Sequence, residues 1–274
     1  MKKNPRKELL RNVRRVVVKV GTSILTTNTN RLDTSYLEEL TEEIAALRRK
    51  NQQVALVTSG AIAAGMKILG LTERPKKLSV VQAAAAVGQS NLMRTYERLF
   101  REQGLVVGQV LLTRDITQNR LRYLNAQGTL KSLFDLGVIP IINENDAVAV
   151  EEIRFGDNDT LSALVAQLVD ADLLIILSDV DGFISKGKVV LEVSAISPSL
   201  MAEAGGSKSE KTVGGMATKL EAARMITREG KPVIIANGRH KKILERILAG
   251  EETGTLFLPP PARKIDKSRN KRIK

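Results

Sequence analysis

The sequence contains no cysteine and no tryptophan, and it has a single histidine, His240. Without cysteine, the chain can form neither disulfides nor thiolate metal sites. One histidine cannot supply a zinc site built from several imidazoles, and a lone histidine within the basic stretch GRHKK is typical of a solvated side chain. These absences argue against a zinc enzyme and against a Ser-His catalytic relay.

Long hydrophobic runs are also missing. No apolar run approaches the roughly 20 residues that a membrane-spanning helix needs, and LLIIL at 173–177 is among the longest. The N-terminus is basic like the first region of a signal peptide, but Lys19 interrupts VVVKV before a sufficient apolar stretch develops. With 274 residues, 43% of them hydrophobic, the chain can bury a large core. We expect a soluble, cytoplasmic, globular protein.

Aromatic residues are scarce, at 3%, whereas the net charge is +13. Residues 1–15 and 262–274 each carry a net charge of +6, which leaves +1 for the residues between them. We interpret the chain as one domain over 15–258 with basic extensions at 1–14 and 259–274. Charge confined to the ends, with few aromatics to stack on bases, argues against a nucleic-acid reader. A weak contact of the tails with RNA or a membrane surface stays open.

Short β-branched runs alternate with helical patterns. The runs are continuously apolar, which is typical of inner strands in a mainly parallel sheet covered on both faces. We predict an α/β fold, a three-layer αβα sandwich, with a small hairpin at 182–193 and a Gly/Ser/Lys-rich loop at 203–215. The predicted strands are 15–20, 53–59, 106–113, 137–143, 172–178 and 232–237. The predicted helices are 78–102, 119–136, 158–170, 215–229 and 240–248, after a first helix capped by Asp33.

Polar and glycine-rich residues follow several of these strands. In open α/β sheets, ligands bind outside the carboxyl ends of the strands. The stretches KVGTS and TSGAIAAG place a glycine beside a helix start, which lets backbone N–H groups approach an anion. Either stretch alone is equally typical of an ordinary strand-to-helix turn. Lys19 ends an apolar strand, and burying its charge requires an anionic partner such as a phosphate or carboxylate.

In a second basic element, VGGMATKL at 213–220, two glycines precede a predicted helix that carries Lys219. It does not match the Walker A pattern, and the chain has no G-x-G-x-x-G fingerprint. The stretch SDVDG at 178–182 likewise fails the EF-hand pattern. These mismatches disfavour P-loop enzymes, dinucleotide dehydrogenases and EF-hand calcium sites.

The stretch GDND at 156–159 packs two carboxylates and an amide just before a helical pattern. Phosphoryl transfer needs cations on the transferring group, donors on the phosphates, and carboxylates for Mg²⁺ or for positioning the cations. Lys19 and Lys219, the glycine turns, and Asp157 and Asp159 supply these parts, and Asn158 can contact the substrate. The alternative is that GDND is only a turn and a helix cap.

The combination of motifs resembles the amino acid kinase family, and within it the members that act on L-glutamate. The resemblance covers about residues 15–258 and rests on VVVKVGTS, VTSGAIAAG, VGQ at 87–89, QVLLT, INENDAVA, GDNDTLSALVA, LSDVDG and GGMATKL. It implies the family's fold and the transfer of the ATP γ-phosphoryl group, with Mg²⁺, to the side-chain carboxylate of L-glutamate. That reaction is the first step of proline biosynthesis.

The resemblance also implies roles for individual residues. Lys19 and Lys219 would contact the phosphates, Asp159 would organise both lysines, and Asp157 would be a second acidic contact or a Mg²⁺ ligand. The implied glutamate-binding residues are Ser59, Asp146 and Asn158. The implied ATP-binding residues are Lys19, Ser178, Asp179, Val213, Gly214, Gly215, Met216, Ala217, Thr218 and Lys219. Many relatives have threonine where this chain has Val213, so that contact is absent or moves to Thr212.

Partners and alternatives follow from the same resemblance. Relatives form dimers or tetramers, and a reductase that consumes the labile glutamyl phosphate is an expected functional partner. Many relatives carry a C-terminal PUA domain, and this chain stops near where it would begin. Acetylglutamate, aspartate, carbamate and uridylate kinases share the sheet, so the fold alone does not choose the substrate. Asp146 favours a substrate with a free α-amino group. From another class, a nucleic-acid-associated module with a kinase-like fold is the alternative.

Overall fold

The computed structural model of the protein describes residues 5–27, 29, 31–148, 158–205 and 215–260. In these ranges the strands are β1 Arg15–Val20, β2 Gln53–Val57, β3 Val107–Leu112, β4 Ile139–Glu144, β5 Leu173–Ser178, β6 Ile184–Ser185, β7 Lys188–Val189, β8 Glu192–Val193, β9 Val233–Asn237 and β10 Thr255–Phe257. The α-helices are α1 Pro5–Leu10, α2 Thr22–Leu25, α3 Thr34–Arg49, α4 Ala61–Ile68, α5 Leu78–Glu102, α6 Arg120–Asp135, α7 Asn158–Leu168, α8 Pro198–Gly205, α9 Met216–Arg228 and α10 Ile243–Leu248. Short 3₁₀ turns span Arg114–Gln118 and Asp146–Val148.

The described strands form one large sheet and one hairpin. The large sheet has eight strands in the order β3-β4-β2-β1-β5-β9-β10-β8, and β6 pairs with β7. All neighbours in the large sheet are parallel except β9 and β10. All six strands predicted from apolar runs lie in this sheet, so the prediction of an α/β fold with a mainly parallel sheet is confirmed.

Helices cover both faces of the sheet, which explains why the strands are continuously apolar. Neighbouring residues of a strand point to opposite faces, so Val16 and Val17 of β1 enter different hydrophobic clusters. Helices α3 and α5 supply Leu40 and Leu92 to the cluster that contains Val16. Helix α7 supplies Leu164 to the cluster on the opposite face. The result is the predicted three-layer sandwich.

Two local signals of the sequence also have the predicted outcome. Asp33 caps α3, and its Oδ1 accepts a hydrogen bond from the backbone N–H of Tyr36 at 3.1 Å. The hairpin predicted at 182–193 is formed by β6 and β7, whereas residues 192–193 are β8 of the large sheet. The hairpin turns at Lys186 and Gly187, whose φ angles are 49° and 76°. Positive φ at both central residues matches the twist of antiparallel strands, and glycine adopts it without steric cost.

The structure adds elements that the sequence patterns did not predict. Within the segment interpreted as a basic extension, α1 packs against the domain through Arg6 and Leu10, which are both buried. The Arg6 guanidinium donates a hydrogen bond to the carbonyl of Thr253 at 2.7 Å. In the loop predicted at 203–215, residues 203–205 belong to α8, and residues 206–214 lie outside the described ranges.

Helices α4 and α5 cross with their backbones in contact. A Cβ atom built on Gly65 would lie 1.7 Å from the carbonyl oxygen of Ala84, and one built on Gly88 would lie 1.8 Å from that of Ala61. Real Cβ atoms never approach backbone this closely, so only glycine permits the crossing. The crossing fixes the first turn of α4, which follows β2 directly, against the middle of α5.

We expect Gly88→Ala to lower the free energy of unfolding by about 1–3 kcal/mol, because the added methyl group forces two packed helices apart. Gly128→Ala is the matched control, since Gly128 lies inside α6 with nothing within 4 Å of the added Cβ. That control should raise stability by about 0.5–1 kcal/mol through its effect on the unfolded chain. Urea denaturation of both variants checks this, and equal effects would contradict it.

Candidate active site

Four neighbouring parallel strands carry polar side chains to one edge of the sheet. Strands β4, β2, β1 and β5 lie side by side, so their carboxyl ends meet at this edge. Lys19 lies near the end of β1, and its register partners are Val57 of β2 and Ile176 of β5. The first turns of α7 and α9 reach the same place, because Asp159 contacts both Lys19 and Lys219. This edge is the candidate active site.

At its centre is a lysine–aspartate cluster formed by Lys19, Asp159 and Lys219. The Oδ1 atom of Asp159 lies 2.5 Å from Nζ of Lys19, and its Oδ2 atom lies 3.2 Å from Nζ of Lys219. Asp159 is fully buried, and the two lysines are only 5% and 6% exposed. Charges buried this deeply persist only when they are paired. The aspartate therefore allows two cations to stand side by side.

The electrostatics of the cluster keep Asp159 ionised. Burial by itself raises the pKa of the Asp159 carboxyl, but the charges of Lys19 and Lys219 and a hydrogen bond from Thr218 outweigh burial. The pKa consequently lies below its usual value. Among the described residues, the cluster pairs one carboxylate with two ammonium groups. Two ammonium groups held side by side in a low-dielectric setting are suited to contact an anion.

The N-terminus of α9 provides hydrogen-bond donors beside the cluster. Gly215 precedes the helix in an extended conformation, and its cap makes no side-chain hydrogen bond. The first backbone N–H groups of a helix have no partner within the helix and favour negative charge. The Thr218 hydroxyl lies 2.8 Å from Asp159 Oδ2 and 2.8 Å from the Gly215 carbonyl, and it ties this first turn to the cluster.

On the other side lies a group of amides around Asn158, the first residue of α7. The Asn158 amide nitrogen carries two hydrogens and lies within hydrogen-bonding distance of three acceptors. These are the Thr58 carbonyl at 2.7 Å, the Ser59 hydroxyl at 2.9 Å and Asn143 Oδ1 at 2.9 Å. Among the described residues, its Oδ1 atom is buried without a hydrogen-bond partner. Buried acceptors are normally paired, so this oxygen is available to a ligand.

Asp146 follows β4 and is half-buried. Burial and the nearby charge of Glu144 raise the pKa of Asp146 to about 6, although the charge of Arg74 opposes this. A carboxylate destabilised by burial and by a like charge is stabilised when a cation binds beside it. The end of β4 is therefore suited to a ligand with a positively charged group.

Polar residues after β5 and β9 form a third group. The Ser178 hydroxyl donates to Asp179 at 3.0 Å. Asp181 accepts a hydrogen bond from the Asn237 amide at 3.0 Å and lies 3.3 Å from Nε2 of His240. His240 is exposed, as predicted, although it has this acidic neighbour.

Most of the residues singled out in the sequence therefore lie at one edge of the sheet. Contacts link Ser59 to Asn158 and link Asp159 to both lysines. Asp146 follows β4 and Ser178 ends β5, which are the outer two of the four strands β4, β2, β1 and β5. Three predicted site residues lie outside the described ranges: Asp157, Val213 and Gly214. The sequence reasoning assigned no role to Thr58, Gln89 or Asn143. Asn143 could have been found from the polar run that begins within the last residues of β4. Gln89 belongs to the VGQ stretch that contributed to the resemblance, but its position inside the long helix α5 gives no sign of its role.

The described residues contain no group of three or more histidine, aspartate or glutamate side chains that could hold a metal ion. None of the helices in the described ranges combines the length and apolarity needed to cross a membrane.

The chain is similar in sequence to proteins of known family. The profile of the amino acid kinase family matches residues 14–237. A glutamate 5-kinase of Moorella thermoacetica is 52% identical over 257 residues, which cover 91% of this chain and 68% of the relative. One from Pelobacter propionicus is 49% identical, covering 93% and 70%. One from Clostridium acetobutylicum is 48% identical, covering 93% of this chain and 98% of the relative.

Proposed function

Because the chain belongs to the amino acid kinase family, we propose that it transfers the γ-phosphoryl group of ATP to the side-chain carboxylate of L-glutamate. The product is L-glutamyl 5-phosphate, and the reaction opens proline biosynthesis. The observation that carries the proposal is the buried lysine–aspartate cluster, which has amides suited to an amino acid on one side and a helix N-terminus suited to phosphates on the other.

The main task of such an enzyme is to bring two anions together. The attacking carboxylate is already ionised at neutral pH, so the reaction requires no general base. Lys19 and Lys219 offset the repulsion between the carboxylate and the phosphates, and they stabilise the charge that develops on the transferring oxygens. Asp159 holds both ammonium groups in position before the substrates arrive. Positioning and charge compensation together lower the barrier.

The two substrates bind on opposite sides of the cluster. L-Glutamate contacts Ser59 and Asn158 and places its α-ammonium group near Asp146. ATP lies toward Ser178 and Asp179 and directs its phosphates at the N-terminus of α9. The proposed ATP-binding residues of that region are Val213, Gly214, Gly215, Met216, Ala217, Thr218 and Lys219.

Mg²⁺ enters the reaction as part of the MgATP substrate. In phosphoryl-transfer sites this ion is held largely by the phosphates and water, with only one or two carboxylates. The described residues present lysines, not a trio of carboxylates, around the position for the phosphates. Asp157, which lies outside the described ranges, is the carboxylate proposed to approach the ion.

The assembly and cellular context are further parts of the proposal. We expect a homo-oligomer, a dimer or tetramer, because the edge strand β3 and helix α6 expose apolar side chains such as Leu111, Leu121 and Leu124. Acyl phosphates hydrolyse readily, so a reductase should consume the product directly. Reaction and partner are expected in the cytoplasm.

The direct test measures ADP formation with L-glutamate, N-acetyl-L-glutamate, L-aspartate, carbamate and UMP as alternative acceptors. Trapping the product with hydroxylamine identifies an acyl phosphate. We expect turnover with L-glutamate to exceed turnover with every other acceptor. Preference for N-acetyl-L-glutamate would contradict the proposed contact between Asp146 and a free α-ammonium group.

Asp146→Asn should raise KM for L-glutamate by roughly one to two orders of magnitude, because it removes the charge that pairs with the α-ammonium group. KM for ATP should change little. In the unsubstituted protein, kcat/KM for L-glutamate should fall as the pH drops below about 6, where Asp146 becomes protonated. The variant should lack this decline. Steady-state kinetics between pH 5 and 8 measure both effects.

Asp135→Asn is the matched control, since Asp135 is exposed at the end of α6 and pairs only with Lys131 in the described contacts. It should leave both KM values unchanged. An equal loss of affinity for both substrates in Asp146→Asn would assign that residue a structural role.

A further inference from the structure

Gln89 of α5 joins the amides of the candidate site from a distant part of the sequence. Its Oε1 atom accepts a hydrogen bond from the Asn143 amide nitrogen at 2.8 Å. Asn143 is 3% exposed, and its Oδ1 atom accepts from Asn158. The three amides thus form a continuous chain from α5 through the end of β4 to the start of α7. We call Gln89, Asn143 and Asn158 the amide chain.

Backbone groups fix the direction of every hydrogen bond in the amide chain. A carbonyl can only accept, so the atom of Asn158 that faces the Thr58 carbonyl is the amide nitrogen. A backbone N–H can only donate, so the atom of Asn143 that faces the Glu144 N–H, 2.9 Å away, is the oxygen. The Asn143 nitrogen must then point toward Gln89. An acceptor at Gln89 completes the arrangement.

We propose that Gln89 is a positioning residue for the amino-acid substrate, acting through Asn143 on Asn158. Without the Gln89 oxygen, the buried Asn143 nitrogen loses its acceptor in the chain, and buried donors without partners are strongly disfavoured. Asn143 would turn, and its oxygen would no longer orient Asn158. The Asn158 oxygen, buried and without a partner among the described residues, then ceases to face the substrate correctly. The proposal rests on the proposed function, in which Asn158 contacts L-glutamate.

The helix crossing described above holds Gln89 in place. Gly88, its neighbour in sequence, touches the backbone of Ala61 at the first turn of α4. Ser59 lies two residues before Ala61 and contacts Asn158. One end of the amide chain thus lies on α5, and the other contacts the residue just before α4, so the helix crossing limits how far the two ends can move apart.

The test combines Gln89→Met, which keeps the size but removes the acceptor, with Asn143→Ala and with the double variant. Gln89→Met should raise KM for L-glutamate about tenfold and change KM for ATP by less than twofold. In the Asn143→Ala background the same substitution should add less than twofold, because residues that act as one unit are not additive. Gln89→Glu retains an acceptor for Asn143 and should stay closer to the unsubstituted protein than Gln89→Met.

Ser90→Ala is the control, since Ser90 is the exposed next residue of α5, and it should leave both KM values unchanged. Multiplicative effects in the double variant, or an equal rise of both KM values, would overturn the proposal.

The side-chain amide NMR signals of Asn143 and Asn158 give a readout that is independent of turnover. They should shift in Gln89→Met and not in Ser90→Ala. If the unsubstituted protein fails to phosphorylate L-glutamate while these signals shift, the proposed function is wrong, but the role of Gln89 in orienting Asn143 and Asn158 stands. Unshifted signals would overturn that role.

Discussion

Lys219→Met is expected to lower kcat by roughly two orders of magnitude or more while the fold stays intact. Lys219 is 6% exposed and lies 3.2 Å from Asp159, at the first turns of α9. Charge builds on the transferring oxygens as the phosphoryl group moves, so a lysine contact there strengthens in the transition state more than in the substrate complex. Methionine fills a similar volume without a charge, so the substitution removes one of the two buried cations and leaves Asp159 paired with Lys19. The protein should therefore remain folded.

Arg228→Met is the control for this prediction, because it removes a cation from the exposed end of the same helix. Single-turnover experiments with saturating ATP and L-glutamate separate the chemical step from binding. Circular dichroism checks the fold. A variant that folds normally and retains its kcat would remove Lys219 from the mechanism, and a loss confined to KM for ATP would limit it to binding.

The sheet could be predicted well from the sequence, because a parallel strand that is buried on both faces requires a continuous run of apolar residues. Both faces of β1 are covered, so every residue from Val16 to Val18 must be apolar, and the run is visible without knowledge of its partners. The same applies to the cap of α3 at Asp33 and to the turn at Gly187. Each depends on residues adjacent in sequence.

Contacts between distant segments could not be predicted in this way. The buried Arg6 guanidinium donates a hydrogen bond to the Thr253 carbonyl, 247 residues away in the sequence. The basic N-terminal segment contains no pattern that predicts this contact. The role proposed for Gln89 likewise depends on its hydrogen bond with Asn143, which lies 54 residues further along the chain. The close crossing of α4 and α5 depends on glycines that resemble ordinary helix positions in the sequence. Motif resemblance suggested which residues share the site, but only the structure shows which of them touch.

Asp159→Asn is expected to lower the free energy of unfolding at pH 7 by about 3–5 kcal/mol, the usual cost of breaking a buried ion pair by removing one partner. Asparagine keeps the shape of the side chain, and Thr218 still has an oxygen acceptor. Two buried ammonium groups nevertheless lose the only carboxylate among their described ion pairs. Turnover should also fall, since Lys19 and Lys219 are no longer held in position. Asp170→Asn is the control: it breaks an exposed pair with Lys231 and should cost at most about 1 kcal/mol.

The pH dependence separates this electrostatic effect from a packing defect. The pKa of Asp159 in the folded protein lies below its usual value of 3.8, so the folded state binds that proton less tightly than the unfolded state does. The stabilisation from Asp159 is therefore fully present above 3.8 and is lost as the pH falls through the lower folded pKa. Urea denaturation should give the same difference between the unsubstituted protein and Asp159→Asn at pH 7 and pH 5, and a smaller difference at the lowest pH where both fold. A difference that persists unchanged at low pH would indicate a packing defect.

MgATP, whose phosphates supply the missing negative charge, should raise Tm more in Asp159→Asn than in the unsubstituted protein. An equal or smaller rise would mean that the phosphates do not approach the two lysines.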